Sequence, residues 1–165
     1  MLTKLYKQQA HNKPMDTGIK VGDLMTRNFI SVTPDTNLKE CAKTLIKKRV
    51  GSLLIQDNNK LKGILTEKDI VWAVVKKSAK ALEEIKAKDL MKRKVTTIKP
   101  GADITDAMNK FKKKKVRRLP VVEKKKLIGL ITTNDILRID PGLFQAIAET
   151  IQIKEEKSKV KRHGI

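Results

Sequence analysis

The segment LIGLITTNDIL (residues 127–137) decides the fold of this chain, because it has an earlier counterpart. Residues 61–71, sixty-six positions before it, read LKGILTEKDIV, with leucine, glycine, threonine, aspartate and isoleucine in the same places. In both copies an apolar run leads through a threonine to an aspartate and then into an apolar helical pattern. Each copy therefore predicts a strand that passes into a helix, with a hydroxyl and a carboxylate at the junction. Ligands often bind at such junctions, since the first amides of a helix are free there.

The duplication extends well beyond these two segments. With the same offset, Asp23-Leu24-Met25 returns as Asp89-Leu90-Met91, and the register does not slip from residue 23 to residue 138. Other matched pairs are Pro34 with Pro100, Val50 with Val116, Leu53 with Leu119, and Gly63 with Gly129. Such regular internal similarity indicates two copies of one structural unit. Each unit is too small to bury much apolar surface alone, so we expect the two to pack on each other.

The pattern within each unit predicts the order strand, helix, strand, strand, helix. In the first unit, residues 29–33 form a short β-like run, and Asn37 is a suitable N-cap for the next helix. Residues 50–56 and 61–65 are predicted to pair through a turn at 57–60. The apolar stripe of the first helix comprises Leu38, Cys41, Ala42, Leu45 and Ile46. The apolar residues of the last helix are Ile70, Val71, Trp72, Val74 and Val75. Met25, Met91 and Trp72 are assigned to the core.

The domain boundaries follow from the same repeat. Residues 1–18 are predicted to be a flexible arm, residues 19–76 the first repeat and residues 77–86 a lysine-rich connector. The second repeat covers residues 87–140. Residues 141–165 are predicted to form a C-terminal helix and basic tail, with the apolar positions Leu143, Phe144, Ile147, Ala148 and Ile151 at helical spacing.

The composition limits the classes of function. Of the 165 residues 39% are apolar and only 3% aromatic. The single cysteine, Cys41, corresponds to Ala107 in the other repeat, so we interpret it as a buried helix residue in a reducing compartment. The two histidines, His11 and His163, lie near opposite ends, and neither a catalytic dyad nor a metal site is predicted. Neither a membrane span nor a signal peptide is indicated, and we expect a cytoplasmic protein that is not an enzyme.

The net charge of +20 provides a second hypothesis. More than half of the excess lies in residues 87–139, which hold sixteen basic and five acidic side chains. If its lysine runs share a face, they form a patch that binds RNA or DNA phosphates without sequence preference. The alternative is a solvated lysine surface that keeps the protein soluble. The runs assigned to this patch are Lys112, Lys113, Lys114, Lys115, Lys124, Lys125 and Lys126.

The repeated threonine and aspartate have a purely structural interpretation as well. A threonine before an apolar helix commonly caps its first amides, and an aspartate in the first turn complements the positive helix end. Gly63 and Gly129 are then explained by strand or turn geometry. From these residues alone, capping and ligand binding both remain open.

The ordered set of motifs resembles a tandem pair of cystathionine-β-synthase (CBS) domains, the arrangement called a Bateman module. The resemblance covers roughly residues 19–139. It rests on the openings VGDLM (21–25) and AKDLM (87–91), the segment VRRLPVV (116–122), and the two hairpins that end in GILTEKD (63–69) and GLITTND (129–135). It implies an α/β fold in which two repeats pack about a pseudo-twofold axis and leave two clefts between them.

The resemblance also implies a ligand, since many members of this family bind adenine nucleotides in these clefts. By that match, Asp135 and Asp69 would accept hydrogen bonds from ribose hydroxyls, and Thr132 and Thr66 would bond the ribose or the α-phosphate. A carboxylate suits a vicinal diol because it offers two acceptor oxygens to two donors.

Both repeats would line each cleft. The first predicted site comprises Thr132, Asp135, Arg118, Leu130, Val50, Gly51, Lys20 and Val21, and the second comprises Thr66, Asp69, Ile64, Val116, Arg117, Lys86 and Ala87. The repeats differ here, because Arg118 corresponds to Ser52 and Gly51 to Arg117. The first site therefore has a phosphate-reaching arginine beside a small residue. We predict that it is the tighter site.

The sequence thus predicts a stand-alone regulatory module that binds AMP, ADP or ATP, with S-adenosylmethionine as an open alternative. No resident cofactor or metal is expected, and Mg²⁺ would only accompany ATP. Apolar helix faces after Ile70 and Ile136 favour a homodimer. Nothing in the sequence identifies the effector protein that would receive the signal.

Overall fold

The computed structural model describes residues 17–76 and 82–138 and confirms two repeats of mixed α/β structure. The first repeat contains a short opening helix, a short strand, a long helix, a hairpin and a closing helix. Their bounds are α1 Val21–Leu24, β1 Ser31–Val32, α2 Leu38–Lys48, β2 Ser52–Asp57, β3 Lys60–Thr66 and α3 Glu67–Lys76. Strand β2 pairs with β1 in parallel and with β3 in antiparallel orientation.

The second repeat has the same order with one exception. Its elements are α4 Ala87–Leu90, α5 Ile104–Lys114, β4 Arg118–Glu123, β5 Lys126–Thr132 and α6 Thr133–Leu137. In place of the predicted opening strand there is an isolated parallel bridge between Ile98 and Val121. The cause is Pro120, which stands where the first repeat has Leu54. The Leu54 amide donates to the Ile30 carbonyl, and proline has no amide hydrogen to repeat this bond.

Both hairpins form at the predicted positions with the same register and the same turn. Asn58 and Asn59 have φ angles of 50° and 58°, and their counterparts Lys124 and Lys125 have 46° and 66°. Two successive left-handed residues match the right-handed twist of the paired strands. The turn geometry is therefore imposed by the hairpin and is adopted even by lysine.

Helix α2 begins as predicted, because the Asn37 side chain accepts a hydrogen bond from the Glu40 amide at 2.9 Å. Its buried face contains Leu38, Cys41 and Leu45, but the prediction for Ile46 was wrong, since this side chain is 78% exposed. At about 100° per residue, Ile46 lies at the edge of the apolar stripe, outside the sector that faces the hairpin.

Two bridging contacts reveal how the repeats are related. Thr26 pairs with Leu130, and Lys92 pairs with Ile64, so each opening segment crosses to the hairpin of the other repeat. The two contacts are equivalent, because Thr26 corresponds to Lys92 and Leu130 corresponds to Ile64 under the offset of 66 residues. This exchange is the mark of a pseudo-twofold axis, as predicted.

Each repeat has its own hydrophobic core, and the crossing segments join the two. The core of the first repeat includes Ala87 and Met91 from α4 and the residue after it, and the core of the second includes Val21 and Met25. Met25 and Met91 are buried, as predicted. Exchange of the opening segments therefore links the stability of the two repeats.

The paired glycines are explained by this exchange. A Cβ atom at Gly129 would lie 2.5 Å from the sulfur of Met25, and one at Gly63 would lie 2.8 Å from the sulfur of Met91. Neither glycine has a positive φ angle. The absence of a side chain, rather than turn geometry, lets the crossing methionine pack on the strand.

Helix α3 presents an apolar face to solvent. The prediction that Trp72 belongs to the core was wrong, because its side chain is 52% exposed. Val71, Val74 and Val75 are exposed on the same helix, while Ile70 and Ala73 are buried.

In the two described ranges, none of the helices combines the length and the apolar character that crossing a membrane requires.

Several predictions concern other parts of the chain. The N-terminal arm up to residue 16, part of the connector (77–81) and the C-terminal helix and tail lie outside the described residues. So does the apolar face that was expected to continue beyond α6.

Candidate functional site

The repeated junctions have nearly identical geometry. Thr132 ends β5, and Asp135 is the third residue of α6. The Asp135 atom Oδ2 accepts hydrogen bonds from the Thr132 amide at 2.8 Å and from the Thr132 hydroxyl at 2.7 Å. In the first repeat, Oδ2 of Asp69 accepts from the Thr66 amide at 2.8 Å and from its hydroxyl at 2.6 Å. The structural interpretation as a helix cap is therefore correct for both pairs.

Capping leaves each carboxylate able to bind a ligand. Within residues 17–76 and 82–138, neither a hydrogen bond nor an ion pair reaches Oδ1 of Asp135 or of Asp69. The threonine fixes the carboxylate through the other oxygen. A pre-oriented acceptor of this kind can take hydrogen bonds from a hydroxyl without a further loss of side-chain freedom.

Arg118 lies where the two repeats meet. It pairs with Thr132 across β4 and β5, and its guanidinium group donates to the Ser52 hydroxyl of the other repeat. Ser52 is the residue that matches Arg118 in the repeat. Burial is the main cause that lowers the pKa of Arg118, and the neighbouring charge of Arg117 adds to the effect. Arg118 is thus a partly desolvated cation between the two junctions.

Gly51 and Arg118 are close together, as the first predicted site requires. A Cβ atom added at Gly51 would lie 3.8 Å from Nη2 of Arg118 and 3.6 Å from Oε2 of Glu67. Sequence reasoning missed Glu67, which directly follows Thr66. Its carboxylate opposes the lowering of the Arg118 pKa. The sequence signal for Glu67 is a difference between the repeats, because the equivalent residue in the second repeat is Thr133, which is buried.

The crossing segments contribute fewer polar groups than the sequence suggested. Leu130 exchanges two backbone hydrogen bonds with Thr26, which places it beside the end of α1. Val21 is fully buried, its amide donates to the Ala102 carbonyl, and its own carbonyl accepts from Met25. Lys20 pairs with Asp103 across a backbone bridge. Val21 can therefore contribute only an apolar wall to the first predicted site, because its amide and carbonyl are already paired and cannot bond an adenine ring.

The second predicted site has the same construction. Ile64 exchanges two backbone hydrogen bonds with Lys92, and Ala87 is fully buried with its amide bonded to the Thr36 carbonyl. The ammonium group of Lys86 donates to Asp35 at 3.0 Å. Lys86 was predicted to line the second cleft. Its charge is partly neutralised by the carboxylate of Asp35.

The residues before β2 and β4 are held by helix ends. The Val50 amide donates to Leu45, and the Val116 amide donates to Phe111. Both valine side chains are partly buried against their own repeat's core. The carbonyl of Arg117 accepts from the Thr133 amide, while the Arg117 side chain is exposed. These contacts fix the backbone at the entrance of each predicted cleft.

The lysine runs of the second repeat are exposed, but they are separated. Residues 112–115 end α5 and precede β4, whereas residues 124–126 follow β4. A six-residue strand spans roughly 20 Å, so the runs lie at opposite ends of it. They form two basic areas instead of one continuous patch.

The single cysteine lies in the core of the first repeat, on α2 and outside the two junctions. In the described ranges, no three His, Cys, Asp or Glu side chains are grouped to hold a metal ion. Cys41 is buried, and burial raises the pKa of its thiol to about 11. Cys41 therefore stays protonated near neutral pH and is a poor nucleophile.

The two repeats match a known domain family. Two copies of the CBS domain match the chain, at residues 21–76 and 87–142. The chain belongs to the CBS-domain family and contains a tandem pair of these domains. The crossing segments and the two junctions described above belong to this pair.

Similar proteins support the assignment. The chain is 32% identical over 141 residues to an uncharacterised protein of Methanopyrus kandleri, and the match covers 84% of this chain and 71% of that one. For two relatives from Methanocaldococcus jannaschii, the chain spans 41% and 42% of their length. The sequence thus accounts for less than half of these longer proteins.

Two solved structures contain bound ligands. The CBS domain pair of the protein MJ0100, in complex with 5′-methylthioadenosine and S-adenosylmethionine, is 30% identical and has a TM-score of 0.64, covering 75% of this chain and 97% of that one. CBSX2 in complex with AMP is 29% identical and has a TM-score of 0.66, covering 76% and 98%. Each of these ligands contains an adenosine group.

Proposed function

We propose that this chain is a regulatory module that binds an adenine nucleotide at the junction formed by Thr132, Asp135 and Arg118. The observation that carries the proposal is the pre-oriented Asp135 carboxylate, whose Oδ1 is open, across the strand pair from a partly buried arginine. A ribose hydroxyl would donate to Oδ1. The ligand's phosphate would then bind the guanidinium group.

The state of Arg118 explains why a phosphate would be favoured. Its guanidinium group has lost part of its water and donates to a neutral hydroxyl of Ser52. A phosphate would replace this neutral partner with charge-assisted, bidentate hydrogen bonds. Glu67 would oppose a second negative group nearby, so we expect AMP to bind at least as tightly as ATP in the absence of Mg²⁺.

The ligands of the similar structures support an adenosine-containing ligand. They also leave AMP, ADP, ATP and S-adenosylmethionine to be compared for this chain. Phosphate binding by Arg118 predicts a preference for the nucleotides over S-adenosylmethionine, because the latter carries a sulfonium cation in place of phosphate.

Regulation requires that the ligand bind one arrangement of the protein better than another. We propose that the exposed face of α3, with Val71, Trp72, Val74 and Val75, contributes to a homodimer whose packing responds to ligand. Under this proposal the chain itself performs no catalysis and signals to an effector protein. A cytoplasmic location remains an expectation from the sequence.

Titration calorimetry with AMP, ADP, ATP and S-adenosylmethionine tests the proposal. Asp135→Ala should weaken AMP binding by at least about tenfold, since a hydrogen bond to a charged group contributes about 1.5–3 kcal/mol. Asp69→Ala is the matched control, because it removes an equivalent cap from the other repeat. It should leave the tighter binding event unchanged.

Thermal unfolding separates binding from folding in this experiment. Loss of the cap should lower the melting temperature of both variants by similar amounts, because the two junctions have the same hydrogen bonds. The proposal fails if no adenosine-containing ligand binds. The site assignment fails if Asp135→Ala binds AMP as tightly as the parent.

Nucleic-acid binding is the second candidate, and the exposure of residues 112–115 and 124–126 favours it. Gel-shift assays with RNA and DNA across salt concentrations test it. Affinity should decrease steeply with salt, and it should fall when Lys112, Lys113, Lys114 and Lys115 are replaced by glutamine. Affinity that is unchanged by these replacements would rule out the α5 end as the binding area.

A further inference from the structure

A groove of about 350 Å³ lies on the outer side of the second repeat, away from the two junctions. It is formed by α5 and the segment 98–102 that precedes this helix. The lining residues are Ile98, Lys99, Ala102, Asp106, Asn109, Lys110, Lys113 and Lys114. Four lysines thus surround a concave surface that contains a single carboxylate.

The helix spacing shows why these side chains converge. Asp106, Asn109, Lys110, Lys113 and Lys114 stand at positions i, i+3, i+4, i+7 and i+8, which form one face of α5. Lys110 and Lys114 are four residues apart, a spacing at which like charges destabilise a helix. The buried Ile98 contributes an apolar floor. The arrangement concentrates positive charge at a cost to the isolated helix.

Lys110 is already fixed in the wall of the groove. Its ammonium group donates to the Thr97 carbonyl at 2.7 Å, which ties α5 to the segment opposite. An ammonium group has three donors, so two remain for a ligand. Within residues 17–76 and 82–138, the salt bridges include none of the four groove lysines.

The equivalent surface of the first repeat is neutralised in part. On α2, Lys43 pairs with Glu40 at 2.8 Å and Lys39 pairs with Glu83 at 2.5 Å. In the second repeat, Asn109 replaces Lys43 and Thr105 replaces Lys39. Lys99 and Lys110 replace threonines, at positions 33 and 44. The second repeat therefore lacks the two paired lysines and has two additional lysines in the groove, beside Lys113 and Lys114, which match Lys47 and Lys48.

We propose that this groove is a second anion site, distinct from the nucleotide junctions, that binds a chain of linked phosphate groups. Several lysines around a concave surface match adjacent phosphates better than one isolated anion. The apolar floor leaves room beside them for the uncharged part of a ligand. The phosphates can come from a small polyphosphate compound or from a nucleic-acid strand, and both present the same chemistry.

Calorimetry with inorganic tripolyphosphate and fluorescence anisotropy with a short single-stranded RNA test the proposal. The groove variant is Lys113→Gln with Lys114→Gln. Its matched control is Lys47→Gln with Lys48→Gln, the equivalent positions on α2, which removes the same charge from the other repeat. At least one probe should bind the parent and bind the groove variant at least tenfold more weakly, while the control changes affinity less than twofold.

The two probes separate the sources of phosphate. Binding of tripolyphosphate identifies a small polyphosphate compound as sufficient, and binding of RNA alone identifies a nucleic-acid strand. Arg118→Ser should change either affinity less than twofold, because it removes the group to which the junction's phosphate is assigned and leaves the groove intact. The proposal is wrong if neither probe binds, if the groove and control variants lose affinity equally, or if Arg118→Ser weakens binding as much as the groove variant does.

Discussion

The two repeats share most of their backbone and the threonine-aspartate pair of each junction, but they differ at side chains beside the junctions. Both keep the threonine-aspartate cap, the glycine beneath a crossing methionine and the two-residue left-handed turn. At the centre of the pair, however, Ser52 faces Arg118, and Glu67 takes the place of Thr133. The shared residues thus build the fold and give each junction the same carboxylate acceptor, whereas the differing residues distinguish what the two junctions can bind.

The outer helix faces differ in the same way. Helix α2 pairs two of its four lysines with carboxylates, whereas three lysines of α5 line a groove. Neither arrangement is needed for burial, because both helices bury one side with residues at equivalent positions. The surface charge of the second repeat is thus free to serve a separate function.

The crossing contacts offer the strongest test of the equivalence of the repeats. Gly63→Ala should destabilise the protein by about 3 kcal/mol, since the new Cβ would lie 2.9 Å from the Lys92 carbonyl oxygen. Gly129→Ala should cost about 1 kcal/mol, because its backbone neighbour is 3.3 Å away and the Met25 side chain can shift. Urea denaturation of both variants measures these free energies of unfolding.

The order of the two effects is the informative result. An equal loss in both variants would mean that the methionine sulfur, not the carbonyl, limits the space. A larger loss for Gly129→Ala would contradict the packing described here. Met25→Leu in the Gly129→Ala background should recover part of the loss, because it removes the atom that is closest to the new methyl group.

The burial of Cys41 on α2 should protect its thiol from alkylation. Burial raises the pKa of Cys41 to about 11 from an ordinary value of 9.0, so its thiolate fraction near pH 8 is roughly a hundredfold lower. Alkylation by iodoacetamide should be at least about a hundredfold slower in the native protein than in urea. Between pH 9 and 11 the thiol of Cys41 ionises in the unfolded chain but stays protonated in the native protein. The free energy of unfolding should therefore decrease as the pH rises through this range, and Cys41→Ala should remove this decrease.

The other repeat supplies the control for this measurement. Ala107 occupies the equivalent position and is fully buried. Ala107→Cys in the Cys41→Ala background should react equally slowly if the two cores are equally closed. Fast reaction of this second thiol would show that the core of the second repeat opens more readily.

Much of the fold was predictable because the repeat constrains it twice. The hairpins follow from a pattern that recurs with one offset, and the Asn37 cap follows from the residue type before an apolar helix. The pseudo-twofold axis was implied by the family resemblance. Two predictions failed where a side chain's direction depends on the whole packing, namely Ile46 and Trp72. The missing strand of the second repeat was readable in principle, since Pro120 cannot donate the hydrogen bond that Leu54 makes.

The candidate site was predictable in part. The sequence alone identifies the repeated threonine and aspartate, but the contact of Arg118 with Ser52 depends on how two distant strands meet. The position of Glu67 has the same origin, because its carboxylate acts on a residue fifty-one positions away. Ligand preference at a junction between repeats cannot be read from either repeat separately.

Arg118→Ser makes the second repeat identical to the first at this position and tests the phosphate assignment. AMP affinity should fall by about tenfold, because a charge-assisted hydrogen bond is lost at a partly exposed site. Adenosine, which lacks phosphate, should bind equally well before and after the change. Calorimetry with both ligands gives the comparison.

The neighbouring arginine provides a charge-matched control. Arg117 is exposed, and Arg117→Ser removes the same charge from an adjacent position. It should change AMP affinity by less than twofold. Equal losses for the two variants would mean that Arg118 acts only through the net charge of the protein.

The smallest expected effect concerns the turns. Lys124 and Lys125 hold positive φ angles that asparagine adopts more readily, and the first repeat has asparagine at both positions. Lys124→Asn with Lys125→Asn should therefore stabilise the protein by about 0.5–1 kcal/mol in urea denaturation. Lys124→Gln with Lys125→Gln removes the same charge without this conformational preference, so it should yield less than half of the gain. Equal gains would assign the effect to relief of repulsion within residues 124–126, and the lysine turn would then be no more strained than its asparagine counterpart.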